Sequence, residues 1–226
     1  MFKSRYSKVL TIILIILIIA IIVITTILSV NAYKKYKEEK DREKAYATLQ
    51  DDIQEEENTI ENNIDINVPL EPIQNATINN NTSSGTTRPK TKFYKNYPMV
   101  GYIEIPKTKV KYPILIDISP AALETSVGVM YPSNPSLNEP GNVVIIGHNY
   151  RNGQFFSNNK KLVIGDKIKI TDLKGRTLTY TIYEISTLPE TDTEYITRER
   201  GDNIEISIST CTDDGKARLV ILARVQ

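Results

Sequence analysis

One histidine and one cysteine stand in this 226-residue chain. They are His148 and Cys211, and each comes directly after a strand-like run. Val143-Val144-Ile145-Ile146-Gly147 precedes the imidazole, and Ile204-Glu205-Ile206-Ser207-Ile208-Ser209-Thr210 precedes the thiol. Arg218 follows seven residues later. A thiol, an imidazole and a guanidinium are the parts of acyl transfer through a thioester: nucleophile, proton shuttle and oxyanion partner. Structural readings compete with this one. A lone cysteine is commonly a small buried hydrophobe, and a histidine after an apolar run is commonly structural. Zinc is the weakest alternative, because one Cys and one His fall two ligands short of the usual set. A disulfide within the chain is excluded, and an unpaired thiol outside the cytoplasm is itself a sign of reactivity.

The elements that would position these groups can be worked out from the residues. Ile204, Ile206 and Ile208 alternate with Glu205, Ser207 and Ser209, the period of a half-buried strand. Thr212-Asp213-Asp214-Gly215-Lys216 interrupts it, and Arg218-Leu219-Val220-Ile221-Leu222-Ala223 is a second β-rich run. An Asp-Gly pair between two such runs predicts a hairpin with a two-residue type I′ turn. With Asp214 and Gly215 at its tip, Cys211 faces Arg218 across the ladder, their Cβ atoms about 4.5–5.5 Å apart. A slip of one residue would send them to opposite faces. The same register sets Glu205 opposite Arg224 as an ordinary cross-strand ion pair, which leaves Arg218 as the arginine of the site.

These residues resemble a known family. Ser207-Ile208-Ser209-Thr210-Cys211 is similar to the sortase signature Thr-Leu-x-Thr-Cys, with Ser for the first Thr and Ile for Leu. Gly147-His148 after an apolar strand resembles the family's histidine site, and Arg218-Leu219-Val220 resembles its arginine strand. Gly101-Tyr102-Ile103-Glu104-Ile105-Pro106 and Val110-Lys111-Tyr112-Pro113-Ile114 are similar to the opening strands of sortase domains. Phe155, Phe156, Leu162 and Gly165-Asp166 match the stretch after the histidine. The resemblance covers about residues 97–226.

It implies a closed barrel of about eight strands and a role for each group. Cys211 would be the nucleophile, His148 the general acid and base, and Arg218 the residue that stabilises the oxyanion or positions substrate. Thr210, beside the nucleophile, would contact the substrate. The implied reaction cleaves a C-terminal sorting motif resembling Leu-Pro-x-Thr-Gly in secreted proteins. It passes through a thioester and ends on an amine of a peptidoglycan precursor or of a pilin. No third residue orienting His148 is identifiable from the sequence.

The N-terminus tells a separate story. After a short tail (1–8), Val9 to Val30 is an uncharged run of about 22 residues dominated by Ile and Leu. At 1.5 Å per residue it reaches about 33 Å, enough for a bilayer core of roughly 30 Å. Val30-Asn31-Ala32 could pass as a signal-peptide cleavage site, but such peptides have apolar regions of only about 7–15 residues. An uncleaved transmembrane anchor over 9–30 is expected. Its orientation is contested. Lys3, Arg5 and Lys8 precede the span, while Lys34, Lys35, Lys37, Lys40, Arg42 and Lys44 follow it. A count of Lys and Arg puts the C-terminal side in the cytoplasm. The resemblance implies the reverse, a single-pass protein with its catalytic domain outside a Gram-positive-type membrane, and that is the arrangement expected.

Residues 31–96 read as a spacer. From Tyr33 to about Glu57 it is rich in Lys, Glu, Ala and Gln and could continue as a charged helix, only marginally stable if polar all round and without a partner. From Asn58 to Lys92 it is rich in Asn, Thr, Ile and Pro, a composition that cannot bury a core and predicts a tether. The Asn-x-Thr/Ser matches at Asn75, Asn80 and Asn81 read as chance. No internal repeat is evident.

The remaining 97–226 is long enough for one domain with one core. A net charge of +1, with no basic stripe bearing aromatics, gives no reason to invoke nucleic acid. Strand-like runs at Val100–Ile105, Lys109–Ile116, Val143–Ile146, Lys167–Thr171, Thr177–Ile185, Ile204–Cys211 and Ala217–Val225 predict an all-β sandwich or barrel. Ser119-Pro120-Ala121-Ala122-Leu123-Glu124 opens like a short helix, Ser as cap and Pro in the first turn.

Two weaker signals lie in the stretch before the cysteine strand. Leu188-Pro189-Glu190-Thr191-Asp192 resembles a sorting motif with Asp for Gly, and reads as chance. Glu190, Asp192 and Glu194 alternate as carboxylates offered to calcium would, but three spaced acids do not guarantee enough oxygen ligands, so no cofactor or metal is expected. The alternative function is a membrane-tethered binding domain without catalysis, against which the three reactive residues argue. Within the enzyme class, surface-protein anchoring is favoured over pilus polymerisation. The chain has neither an Asp-Pro-aromatic lid before the barrel nor a second apolar span before its end at Gln226.

Overall fold

The alternating apolar residues form a sheet that closes on itself. The computed structural model describes residues 5–61, 91–130, 136–198 and 201–226. Among these, the strands are β1 (Lys92–Tyr94), β2 (Tyr97–Ile105), β3 (Val110–Leu115), β4 (Val127–Met130), β5 (Gly141–Ile146), β6 (Lys167–Asp172), β7 (Thr177–Pro189), β8 (Ile204–Cys211) and β9 (Ala217–Val225). Across the sheet they run β1-β2-β3-β4-β5-β8-β9-β7-β6, and β2 pairs with β6 as well. That pairing closes β2 to β9 into an eight-stranded barrel. β1 lies on the same edge of β2 as β6, opposite Tyr97, Pro98 and Met99, while β6 takes Gly101 to Glu104. The barrel is filled mainly by β-branched side chains, among them Ile103, Ile105, Ile114, Ile145, Ile168, Ile170, Ile182, Ile208 and Ile221, with Phe156 beneath the histidine loop.

All the runs expected to be strands are strands. Two more escaped the pattern. β4 is four residues long with Gly128 inside it, too short to show a period, yet it bridges β3 in parallel and β5 in antiparallel pairing. β1 is three residues long and joins β2 through Lys95 and Asn96, both at positive φ (46° and 71°), the two-residue turn that suits a hairpin. The short helix α2 (Pro120–Leu123) starts as expected, the Ser119 hydroxyl accepting from Ala122 N at 3.3 Å.

The β8–β9 hairpin keeps the expected register and changes its turn. Cys211 pairs with Arg218, and Glu205 with Arg224. The tip, however, is a four-residue loop. Thr212 N donates to Ala217 O at 3.0 Å, and Gly215 N donates to Thr212 O at 2.9 Å. Only Gly215 of the Asp-Gly pair has positive φ (73°), whereas a type I′ turn needs it at both. Asp214 instead accepts from Lys216 N at 3.1 Å. Two- and four-residue loops centred on the same bond give the same partners, which is why the register survived.

The long helix α1 spans Arg5–Glu61, and the chain divides into two compact units between Lys44 and Ala45. The first unit carries the apolar run, the one helix among the described residues long and apolar enough to cross a membrane, with a mean hydropathy of 3.3 in its best window. Two hydroxyls of the run are satisfied within the helix: those of Thr25 and Thr26 donate to Ile22 O and Val23 O at 2.9 and 2.8 Å. The second unit takes up the end of α1. Leu49 is 1% exposed, in a cluster with Tyr94, Met99, Tyr102, Leu115 and Ala122 that Ala45 and Tyr46 border. The Tyr46 ring meets Tyr102 at 4.8 Å and carries the Lys111 ammonium 4.4 Å from its centroid. So the charged half of the spacer does have a partner, through three residues at helical spacing, and the sheet begins at Lys92 rather than after residue 96. Residues 62–90, most of the expected tether and all three Asn-x-Thr/Ser matches, lie outside the described residues.

Candidate active site

Strand alternation sorts β8 into two faces. Ile206 and Ile208 enter the barrel core, so Glu205, Ser207, Ser209 and Cys211 face outward. On that outer face a second apolar cluster forms from Val144, Tyr195, Val220 and Leu222, bordered by Met130, Ile146, Leu188 and Ile196. Cys211 stands at the end of this surface, half-buried and unpaired with any other sulfur. Arg218, directly opposite, donates from Nη1 to Cys211 Sγ at 2.5 Å, and its Nη2 pairs with Glu190. A guanidinium held against the sulfur is placed to donate to an oxyanion forming on a carbonyl that the sulfur attacks.

His148 follows the strand on the other side of β8. β5 and β8 run parallel, ending on Ile146 opposite Ser209, and the pairing continues as Gly147 N donates to Ser209 O at 3.3 Å. One residue past the histidine, Asn149 donates from Nδ2 to Cys211 O at 2.9 Å and to Asp213 Oδ1 at 3.0 Å. Bonds on both sides of His148 therefore tie it to the cysteine hairpin. Asp213 also pairs with Lys160, and Lys160 first and Asn149 second hold its carboxyl below the usual carboxylate range. Gly147 is required by space: a Cβ there would lie 2.8 Å from Val127 Cγ1 and 2.9 Å from Phe156 Cδ2.

The loop after His148 is closed by its own side chains. Asn149 Oδ1 accepts from Arg151 N and Asn152 Oδ1 from Gln154 N, while Phe156 N donates to His148 O at 3.1 Å. Phe155 sits at φ 49°, a left-handed conformation that costs on the order of 1–3 kcal/mol for such a residue. Its N–H donates to the Tyr112 hydroxyl at 3.0 Å, and its ring stacks on Tyr112 with centroids 5.1 Å apart.

The segment between β7 and β8 is anchored under its short helix α3 (Glu194–Thr197) by buried polar groups. Asn142 Nδ2 and the Ser207 hydroxyl both donate to Tyr195 O, and the Ser209 hydroxyl donates to the Tyr195 oxygen at 3.2 Å. Arg198 pairs with Glu205, itself 4% exposed, at 3.0 Å. Glu205 also accepts from the Tyr183 hydroxyl at 2.7 Å, and Arg224, opposite it in the ladder, lies with its guanidinium 5.1 Å from the Tyr183 centroid.

Of the residues singled out by sequence, Cys211, Arg218 and the strand of His148 come together. Thr210 does not share their face. It is 4% exposed on the inward side with Ile206 and Ile208, its hydroxyl without a hydrogen-bond partner. Leu188 and Pro189 of the sorting-motif look-alike are strand residues paired with Arg218 and Ala217. Glu190, Asp192 and Glu194 are used separately, Glu190 on Arg218 and Asp192 accepting from Glu194 N at 3.1 Å. Among the described residues no group of three or more His, Cys, Asp and Glu side chains is arranged to hold a metal ion. Sequence reasoning missed Asn149, Lys160, Tyr150 and Glu124, whose partners are distant in the chain. The only trace in the sequence was the pair of asparagines, Asn149 and Asn152, each two residues before a turn.

Comparison with known proteins gives the family and the fold. A family model described as the sortase domain matches residues 103–226, more than half of the chain. Sortase A of Streptococcus agalactiae is 27% identical over 137 residues, covering 58% of this chain and 54% of the relative. The chain therefore spans about half the length of that curated relative. Among solved structures, a Clostridium perfringens sortase D5 transpeptidase is 32% identical with a TM-score of 0.51, covering 57% of this chain and 79% of that one. Sortase A from Corynebacterium diphtheriae is 29% identical with a TM-score of 0.52, covering 57% and 62%.

Proposed function

Because the chain belongs to the sortase family, we propose that it is a cysteine transpeptidase that cuts a sorting motif in secreted proteins and joins them to an amine of the cell wall. The observation that carries this reading is the guanidinium of Arg218 against Cys211 Sγ on the outer face of β8, with the strand of His148 alongside in parallel register.

The Cys211 thiolate attacks the carbonyl carbon of a threonine in a motif resembling Leu-Pro-x-Thr-Gly. Arg218 donates to the oxyanion that forms. His148, as imidazolium, gives its proton to the departing amine as the C–N bond breaks, which leaves a thioester. The neutral imidazole then takes a proton from the incoming amine, whose nitrogen displaces the thiolate. The bordering apolar side chains Met130, Ile146, Leu188 and Ile196 supply a surface for the aliphatic start of the motif. Thr210 takes part through its main chain beside Cys211, its side chain being turned into the barrel. The chemistry calls for no cofactor. Residues 9–30 anchor the protein, and the catalytic domain expected over 97–226 works outside the membrane together with the parts of 31–96 packed on it, Leu49 and β1.

The full chain in detergent micelles, given a library of sorting-motif peptides, tests the proposal. Wild type should release C-terminal fragments and form a thioester that hydroxylamine captures. Cys211→Ala should do neither while melting at the same temperature, since the change removes little volume. Cleavage by Cys211→Ala at the wild-type rate would refute the mechanism.

A further inference from the structure

A general base that must also act as an acid needs its ring held, and a third side chain bonded to one imidazole nitrogen commonly does this. Among the described residues the His148 ring makes no hydrogen bond, and two aromatic rings pack against it. Tyr150 stacks on it with centroids 4.7 Å apart and planes 20° from parallel. Phe155 meets it edge-on at 6.3 Å and 70°, and meets Tyr150 edge-on at 5.7 Å. Tyr150 is an exposed residue (38%) on a loop and would be free to swing out, but its hydroxyl donates to Glu124 Oε1 at 2.8 Å. Glu124 caps α2, its N–H donating to Pro120 O at 3.0 Å.

We propose that Tyr150 is a positioning residue for His148, braced at its far end by Glu124, and that this pair does by stacking what a hydrogen-bonded third residue does elsewhere. The inference rests on the reading of His148 as acid and base. Stacking fixes the plane of the imidazole while leaving both nitrogens unbonded, so the ring can give a proton and take one back without breaking a contact. Rotation about the Cβ–Cγ bond would break the near-parallel stack of the two rings. The phenol–carboxylate bond is of the charge-assisted kind and holds the tyrosine plane. Partial burial, and after it the Glu124 carboxylate, push the Tyr150 hydroxyl up to about 12, so it remains a donor through the working range. The brace crosses from the end of α2 to the loop after β5, elements otherwise joined through β4, and it fixes the loop at the residue the chemistry needs.

Because the chain has one histidine, isotope-labelled histidine gives a single pair of ring signals in the full protein in micelles. In wild type the ring protons should lie upfield, displaced by the Tyr150 ring current. In Tyr150→Leu they should return downfield and broaden. Turnover of that variant on a sorting peptide should fall by up to about 10²-fold, the cost of misplacing a reacting group by roughly an ångström, with KM unchanged. Tyr150→Phe keeps the ring and loses the brace, as does Glu124→Ala. Each should lower kcat several-fold, and the double variant should be no slower than either single one. His148→Ala separates the two ideas. If it retains activity, the acid–base reading and this inference both fall. If it is inactive while Tyr150→Leu turns over at the wild-type rate, or loses only KM, the inference alone is overturned. An upfield histidine signal that persists in Tyr150→Leu would overturn it too.

Discussion

Arg218 is the residue whose identity matters most beyond the nucleophile, because one guanidinium serves two partners at once. Nη1 reaches Cys211 Sγ and Nη2 reaches Glu190. A lysine in its place would keep the charge but offer a single point donor instead of a planar fork. Arg218→Lys is therefore expected to lower kcat/KM by about 10²–10³, roughly 2.7–4 kcal/mol, as for other lost oxyanion donors. Arg224→Lys is the contrast. Arg224 is exposed, lies over Tyr183 and stands opposite Glu205. Its replacement should cost no more than about 0–1 kcal/mol. Measuring kcat/KM for both on one peptide, with thermal melts alongside, decides the matter; a large loss at Arg224 with a small one at Arg218 would reverse the assignment. The two arginines could be told apart from sequence because a hairpin is local: turn position alone sets who faces whom. Nothing comparable marked Tyr150 and Glu124, which lie 26 positions apart and meet only once the barrel has closed. Thr210 shows the converse, a motif neighbour of the nucleophile that strand alternation turns the other way.

At the scale of elements, legibility followed length. Runs such as Thr177–Ile185 repeat their period often enough to be read, whereas β1 and β4 are too short to have one. β1 still left a trace in Asn96, a residue that tolerates the left-handed conformation its turn requires. The packing of the end of α1 was hard to read for a different reason. Amid Lys and Glu, Ala45, Tyr46 and Leu49 look like dilution, but Tyr46 and Ala45 lie three and four residues before Leu49 and share its helix face, and Tyr102 and Met99 receive it. A fully buried leucine is worth more than the charges around it. Leu49→Ala should destabilise the second unit by about 2–5 kcal/mol. For a unit of this size that is about 2–4 °C of Tm per kcal/mol. Lys40→Ala, at an exposed position of the same helix, should stay within about 0.5 kcal/mol. Differential scanning calorimetry of the full chain reads both. Equal melting temperatures for Leu49→Ala and wild type would mean that the packing of α1 on the sheet contributes nothing to stability.

For the whole molecule the open question is which side of the membrane the barrel occupies, and two arguments point opposite ways. The Lys and Arg residues gathered after the apolar run favour a cytoplasmic barrel if counted alone. The chemistry favours the other side, since a transpeptidase acting on exported proteins must meet both its substrate and a cell-wall amine there. Flanking charge governs short loops and has little hold over a long domain, which crosses largely regardless of it. We therefore expect the barrel outside. The chain offers a direct measurement, because Cys211 is its only thiol and stands half-buried rather than enclosed. A membrane-impermeant maleimide added to intact protoplasts should modify the protein as fully as it does after lysis, and the same treatment of Cys211→Ala should give no product. Modification of wild type only after lysis would place the barrel in the cytoplasm. It would make the charge count the better guide, and it would leave the enzyme without access to the cell-wall acceptor on which its proposed function depends.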